Sequence, residues 1–294
     1  ALVLNEVSSF VMYLFNFTNN IKLVFDRTNW MFGKKNINFF VLAVCYKKVS
    51  IPLFWRNLNK KGVSSDDEKI SLLTRFQNKF GFQNVIDLLG DREFASAKLL
   101  KYLHEYNVNY TLRIKGNTSI SNGKNAASLF KNLVYLESNV ITEVQLFGVT
   151  ANLCAKRLNN GDLQIIVTNF DPENALDRYM EREQIERMFS CLKTRGFNLE
   201  DTHITDTVKL ERLLGVVTLA FCWAYKLGEH IDDAVGIKVK SHGRRVRSIF
   251  KTGHVYLKQL LIDVGRKGLE YSRILSLIFH KDYSLKPYIN WGCV

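Results

Sequence analysis

Tyr179, Arg182, Glu186 and Lys193 fall in one stretch, "YMEREQIERMFSCLKTRGFNLEDT" from 179 to 202, where apolar residues are interleaved with charge. At about 100° per residue their spacing brings the four side chains within roughly 60° of one another on a helix. They make one polar stripe, while Ile185, Met188, Phe189 and Leu192 gather on a neighbouring arc that can pack on a core. A carboxylate, two cations and a phenol along one shoulder suit a solvated face laced with ion pairs. They equally suit the wall of a site that grips phosphate, with Arg182 and Lys193 as clamps and Tyr179 as a hydrogen-bond donor.

The acids elsewhere sharpen the second reading. Asp26 and Asp91 each close an apolar, strand-like run, "IKLVFD" and "NVIDLLGD", and so belong at the rim of a sheet. A lone Asp in that place is ordinarily a turn or a helix cap. Two of them with Glu186 on a helix would repel one another unless divalent cations held them together, and oxygen donors select hard ions such as Mg²⁺ or Mn²⁺. A pair of such ions about 4 Å apart activates an attacking water or hydroxyl and stabilises the leaving oxygen of a phosphodiester. Arg92 and Glu93 follow Asp91 directly; they read as a local ion pair orienting that loop or as phosphate contacts, and stay outside the acidic trio.

The elements that must position these residues follow from hydrophobic pattern. Residues 21–30, "INFFVLAVCY" and "KVSIPLFW" read as three strands, the last two joined by a Lys47-Lys48 turn. "SDDEKISLLTRFQNKF" from Ser65 is a capped amphipathic helix, "NVIDLLGDREF" a buried strand, "ASAKLLKYLHEYN" a second helix and "VNYTLRIKG" another strand. This order predicts an α/β fold, a mixed sheet with flanking helices. Between about 117 and 172 short alternating strands with Gly and Asn turns suggest a β-rich insertion, and after Thr205 long helical patterns take over. The expected division is 1–116 and 173–230 as two parts of one catalytic core, 117–172 as the insertion, and 231–294 as a basic helical C-terminal region.

Composition narrows the partners. With 294 residues, 47% of them hydrophobic, the chain can bury a substantial core. A formal charge of +13 favours a polyanion, and nucleic acid is the expected partner. Five cysteines with no paired spacing fit a reducing, cytoplasmic setting, and six scattered His offer no ligand pattern. The apolar run Leu213–Leu227 is too short to span a bilayer and reads as a buried helix, so no membrane segment is expected. From Lys238 to Arg273 ten Lys or Arg face only two acids, interleaved with Phe250, Tyr256 and Tyr271, a pattern suited to a nucleic-acid backbone.

Tyr179, Arg182, Glu186 and Lys193 match, position for position, the Y-x2-R-x3-E-x6-K signature of a group of bacterial insertion-sequence transposases of the DDE type, the insertion-sequence-four family. "FDRTNW", "DREF", "FSCLKTRGFNLEDT" and "HGRRVRSIF" resemble further blocks of that family, in its order, so that the likeness runs from about residue 20 to 260. It implies a ribonuclease-H-like core in which Asp26, Asp91 and Glu186 bind two Mg²⁺, with Mn²⁺ as substitute. It also implies that Tyr179, Arg182 and Lys193 hold the transposon end, and that Arg244, Arg245 and Arg247 in the basic block contact DNA. The implied reaction is cut-and-paste transposition through nicking, a hairpin intermediate and strand transfer into target DNA, by a homodimer. Members carry a longer end-recognition region before the first Asp, and the resemblance implies that most of it is missing here. At 183, where close relatives tend to have Trp, this chain has Glu183; Phe130, Tyr135 and Phe147 are the aromatics of the insertion available to trap a flipped base. A truncated DNA-binding remnant or inhibitor, and a ribonuclease-H-like nuclease, are the competing readings.

Overall fold

The computed structural model describes residues 4–121 and 123–262, with 268, 272 and 276. Strands β1 (Ile21–Phe32), β2 (Lys35–Tyr46) and β3 (Val49–Asn57) form an antiparallel meander, the last turn held by Lys47 at φ 53°. β2 and β3 are buried along nearly their whole length, so they read as continuous apolar runs, rich in aromatic and β-branched residues. Ahead of them lies α1 (Leu4–Leu14), a helix that the hydrophobic pattern alone did not place.

Helix α2 (Asp66–Phe80) begins with a capping box in which Ser65 accepts from the Glu68 amide and Glu68 accepts from the Ser65 amide. β4 (Val85–Gly90) then runs parallel to β1, α3 (Ala97–Glu105) crosses over, and β5 (Tyr110–Ile114) lies parallel to β4. The β-rich segment supplies β6 (Ser138–Leu146), β7 (Val149–Arg157) and β8 (Leu163–Thr168). β8 pairs antiparallel with β5, so this segment extends the same sheet to eight strands in the order β3-β2-β1-β4-β5-β8-β7-β6. The first five strands of that order, with helices on the sheet, are the ribonuclease-H-like mixed arrangement. Its centre is apolar: Leu23, Val24, Phe25, Phe40, Leu42, Leu88, Leu89 and Phe94 are all buried.

Among the described residues four further α-helices follow: α4 (Ala175–Met180), α5 (Glu183–Lys193), α6 (Thr207–Val235) and α7 (Ile249–Ile262). α6 carries the Leu213–Leu227 run as a largely buried helix, and among the described residues no helix is long and apolar enough to cross a membrane. The basic region is broken between its helices. Gly236, at φ 74°, ends α6, and residues 238–247 turn back as a short β-hairpin before α7 starts. Its basic aromatics are not free platforms either: Phe250 is buried against Phe197, Phe221 and His254, Tyr256 packs on the core, and Tyr271 lies outside the described residues.

α6 and α7 approach until their backbones touch. A Cβ on Gly253 would stand 1.8 Å from the Ala224 carbonyl oxygen, and one on Gly228 would stand 2.0 Å from that of Ile249. Gly253→Ala is therefore expected to lower stability by about 1–3 kcal/mol through overpacking, read as a drop in melting temperature. An unchanged melt would mean that the two helices separate freely.

Candidate active site

The parallel ladder between β1 and β4 ends with Val24 opposite Leu89. Asp26 comes two residues later within β1, on the face of Val24, and Asp91 two residues after Leu89, just beyond the end of β4 at Gly90. The β1–β4 pairing thus brings Asp26 and Asp91 to the same part of the sheet. Burial pushes the Asp26 carboxyl up to about 6, and Glu93 and Asp91 add repulsion; the Arg27 amide, 2.7 Å from Oδ1, and Arg182 pull the other way.

The segment bearing the signature residues is not one helix. α4 packs on β5, β7 and β8, whereas α5 packs on β1, β2 and β3, so the chain must step across the sheet between them. At Glu181 and Arg182 the backbone tightens into i→i+3 bonds, Arg182 N to Tyr179 O at 3.0 Å and Ile185 N to Arg182 O at 3.1 Å. The step lifts Met180 to 54% exposure and buries Tyr179 to 5%, off the solvent-side stripe that uniform helical spacing predicts.

The same step aims Arg182 and Tyr179 at the two aspartates. Arg182 Nη1 donates to Asp26 Oδ2 at 3.1 Å and Nη2 to Glu186 Oε1 at 2.5 Å, while the Tyr179 hydroxyl donates to Asp91 Oδ1 at 3.0 Å. One turn of chain thus reaches each of the three acids. Burial disfavours the Arg182 charge, yet Tyr179, Asp26 and Glu186 around it hold its proton more tightly than usual, and burial beside Asp91 does the same for the Tyr179 phenol. Among the described residues Arg182 Nε is buried without a hydrogen-bond partner.

Lys193 diverges from the group. Its ammonium reaches the Asn29 carbonyl at 3.2 Å and Glu200 at 2.6 Å, above the Trp30 ring, further out along β1. Glu183 is exposed and pairs with Arg187, turned away from Arg182. Glu93 pairs not with Arg92, which is exposed, but with Arg27, by two bonds of 2.5 and 2.6 Å. Arg27 also reaches Asn38 and the Gly62 carbonyl, tying the Asp91 loop to β1 on the face opposite Asp26. Arg113 on β5 lies 3.9 Å from Asp91. None of these long-range partners is legible from local spacing.

Beneath the acids lies a second charged group. Asp87, within β4 and four residues before Asp91, is completely buried; its Oδ2 accepts from Thr111 at 3.0 Å and Arg178 at 3.2 Å. Arg178 also pairs with Asp171 at 2.6 Å, donates to the Phe170 carbonyl at 3.0 Å and lies 4.0 Å from the Phe170 ring. Since Arg178 immediately precedes Tyr179, this network anchors α4 to the sheet.

The acids are all-oxygen donors, which suits a hard divalent cation. Among the described residues no three His, Cys, Asp or Glu side chains stand gathered as a ready cage, and the Arg182 guanidinium bridges Asp26 and Glu186. That guanidinium is a stand-in cation between two of the acids, so their donor chemistry fits a metal ion. Of the insertion aromatics, Phe130 is buried, Phe147 is partly buried at the β6–β7 turn, and Tyr135 is exposed. Arg244, Arg245 and Arg247 stand apart on the hairpin between α6 and α7, all exposed.

No curated protein matches the sequence. Among solved structures, the fold resembles the piggyBac transposase in its synaptic complex with hairpin DNA, at 12% identity and a TM-score of 0.51 over 90% of this chain; the chain spans 57% of that protein. The NurA nuclease from Sulfolobus solfataricus aligns at 11% identity over 68% of this chain and 84% of its own, but with a TM-score of 0.32 nothing rests on it. The first likeness is one of fold. The sequence profile of the transposase DDE domain, by contrast, matches residues 66–223, a span that takes in Asp91 and every signature position from Tyr179 to Lys193. Because that span is more than half of the chain, the protein belongs to the transposase DDE domain family.

Proposed function

We propose that this chain is the catalytic core of a DNA transposase of a bacterial insertion sequence, which cuts transposon ends and joins them to target DNA. The observation that carries the proposal is the reach of one short segment to three acids: Tyr179 to Asp91, and Arg182 to Asp26 and Glu186. In this reading residues 1–116 and 173–230 are the two parts of the core and 117–172 the insertion. The protein acts in the cytoplasm as a homodimer on DNA.

Asp26, Asp91 and Glu186 would hold two Mg²⁺ or Mn²⁺, whose chemistry is Lewis-acid stabilisation of the attacking and leaving oxygens of an in-line displacement. The chain's own residues orient the reactants. Tyr179 fixes the Asp91 carboxylate by donating to Oδ1, and Arg27 with Glu93 braces the loop behind it. Arg182, partly buried and with an unused Nε, has the planar fork that grips a phosphate when DNA arrives. Lys193, paired with Glu200, flanks the approach along β1. Hydrolytic nicking, closure of a hairpin on the flanking strand, its reopening and strand transfer are all attacks on phosphodiesters by water or a 3′-hydroxyl, so one site serves every step.

The test is incubation of the purified chain with Mg²⁺ or Mn²⁺ and DNA bearing 3′-hydroxyl ends, beside Glu186→Gln. The expected result is nicked and joined products that need the metal and vanish in the variant. A folded protein that binds DNA but neither cuts nor joins it refutes the proposal in favour of a remnant or inhibitor, and nicks without joined products reassign it to a nuclease.

A further inference from the structure

The loop between α6 and α7 carries five cations and no acid between Lys238 and Arg247, "KVKSHGRRVR". It is a hairpin: Val246 N donates to Lys238 O and Lys240 N to Arg244 O, both at 2.8 Å, with Val239 paired to Arg245 and the turn closed at Gly243, φ 79°. Every residue from 238 to 248 is exposed. Strand alternation sorts the cations onto two faces. Arg245 points at α6, where it pairs with Asp232 at 2.6 Å, and the same Asp232 accepts from the Ile237 amide, fixing the hairpin to its stalk. Lys238, Lys240 and Arg244 share the other face, away from that strut. The stalk is stiff, because α6 and α7 meet backbone to backbone at Gly228 and Gly253.

We propose that this hairpin is a finger that lies in a groove of double-helical DNA and grips its phosphates through Lys238, Lys240 and Arg244, with Arg245 as its strut and not a DNA ligand. The major groove is wide enough to admit a two-stranded β-ribbon. A rigid, acid-free ribbon with three of its five cations on one face suits a polyanion of regular shape better than a flexible single strand, and long cationic side chains without amide partners favour phosphate over base edges. The finger adds affinity without choosing sequence, and it rests on DNA being the substrate of the site proposed above.

The test uses the full chain and the variant Lys238→Gln/Lys240→Gln/Arg244→Gln, with a fluorescein-labelled duplex of arbitrary sequence and its single strand, in fluorescence anisotropy across a salt series. Each phosphate left without its cation should flatten the slope of log affinity against log salt by about 0.9, so the triple variant should lose a slope of about 3 and at least tenfold in duplex affinity near 0.1 M salt. An unaltered melting curve shows that the body of the protein is intact. Equal slopes and affinities for variant and wild type overturn the finger, and so does a wild type that prefers the single strand. The two proposals fail separately. A wild type that binds duplex through the finger but never cuts it condemns the catalytic reading alone; equal binding and cutting by the triple variant condemns the finger alone.

Discussion

Arg178→Met is expected to destabilise the protein by about 3–5 kcal/mol at pH 8, the range for stripping one partner from a buried ion pair. Methionine keeps much of the aliphatic stem, so the loss reports charge and hydrogen bonding more than volume. Asp87 has no exposed surface, and among the described residues its Oδ1 already lacks a hydrogen-bond partner. Without Arg178 only Thr111 would remain bonded to it. Asp171 and the Phe170 carbonyl would lose their donor at the same time, and α4 its anchor.

The pH dependence identifies the cause. Burial already pushes Asp87 up to about 6 from 3.8, against the pull of Thr111 and Arg178. A carboxyl raised in the folded state binds more protons there, so its contribution is fully present below about 3.8 and is lost as pH rises through about 6. Removing Arg178 raises Asp87 further, so the deficit should be largest at pH 8 and shrink toward pH 5, where a protonated Asp87 no longer needs a cation. Denaturant titrations at the two pH values measure it, and Asp87→Asn/Arg178→Met should recover much of the loss. A deficit equal at pH 5 and pH 8 would show that packing, not the buried charge, holds α4 in place.

What was legible in the sequence was what repeats locally. The three-strand meander, the Ser65 cap and the strand leading to Asp91 follow from alternation, capping and β-branched runs, and the structure has them with the Lys47-Lys48 turn in place; Asp26, expected to close its strand at the sheet rim, instead sits within β1 opposite Val41, because β1 stays paired with β2 as far as Phe32. The break at Glu181 and Arg182 was not legible. A 3.6-residue period carries through it, and only the need to cross from β5, β7 and β8 to β1, β2 and β3 demands it. Nor were Arg27 with Glu93 or Arg178 with Asp87, whose partners lie far apart in the chain and meet only because the sheet order sets β1 beside β4 and because α4 packs on the sheet next to β4. The hairpin did leave a signal. Lys-Val-Lys and Arg-Val-Arg alternate with period two about Gly243, but a dense run of charge beside long helices reads as one more helical face. Asp26 and Asp91 come to the same part of the sheet because β1 pairs with β4, and pairing is a property that no single strand contains.

Asp26→Asn is expected to reduce nicking by about a thousandfold, the size of a lost several-kcal/mol stabilisation of the transition state, while making the folded protein more stable at pH 8. Asparagine keeps the shape and can still accept from the Arg27 amide and from Arg182, but it removes a buried charge pressed against Glu93 and Asp91. A shift from 3.8 to about 6, already net of the attraction to Arg182, corresponds to roughly 3 kcal/mol, which is the upper bound of the gain. Since the carboxyl is raised in the folded state, wild type sheds this stability as pH climbs through about 6. The gain of Asn should therefore be full at pH 8 and gone by about pH 4. Melting curves at both pH values, run beside the nicking assay, decide the matter. A variant less stable than wild type at pH 8 would mean that Arg182 binds Asp26 as a structural pair. A more stable, inactive variant would mean that the fold holds Asp26 charged at a cost that DNA cleavage alone explains, since stabilising the fold and losing the reaction would then come from the same atom.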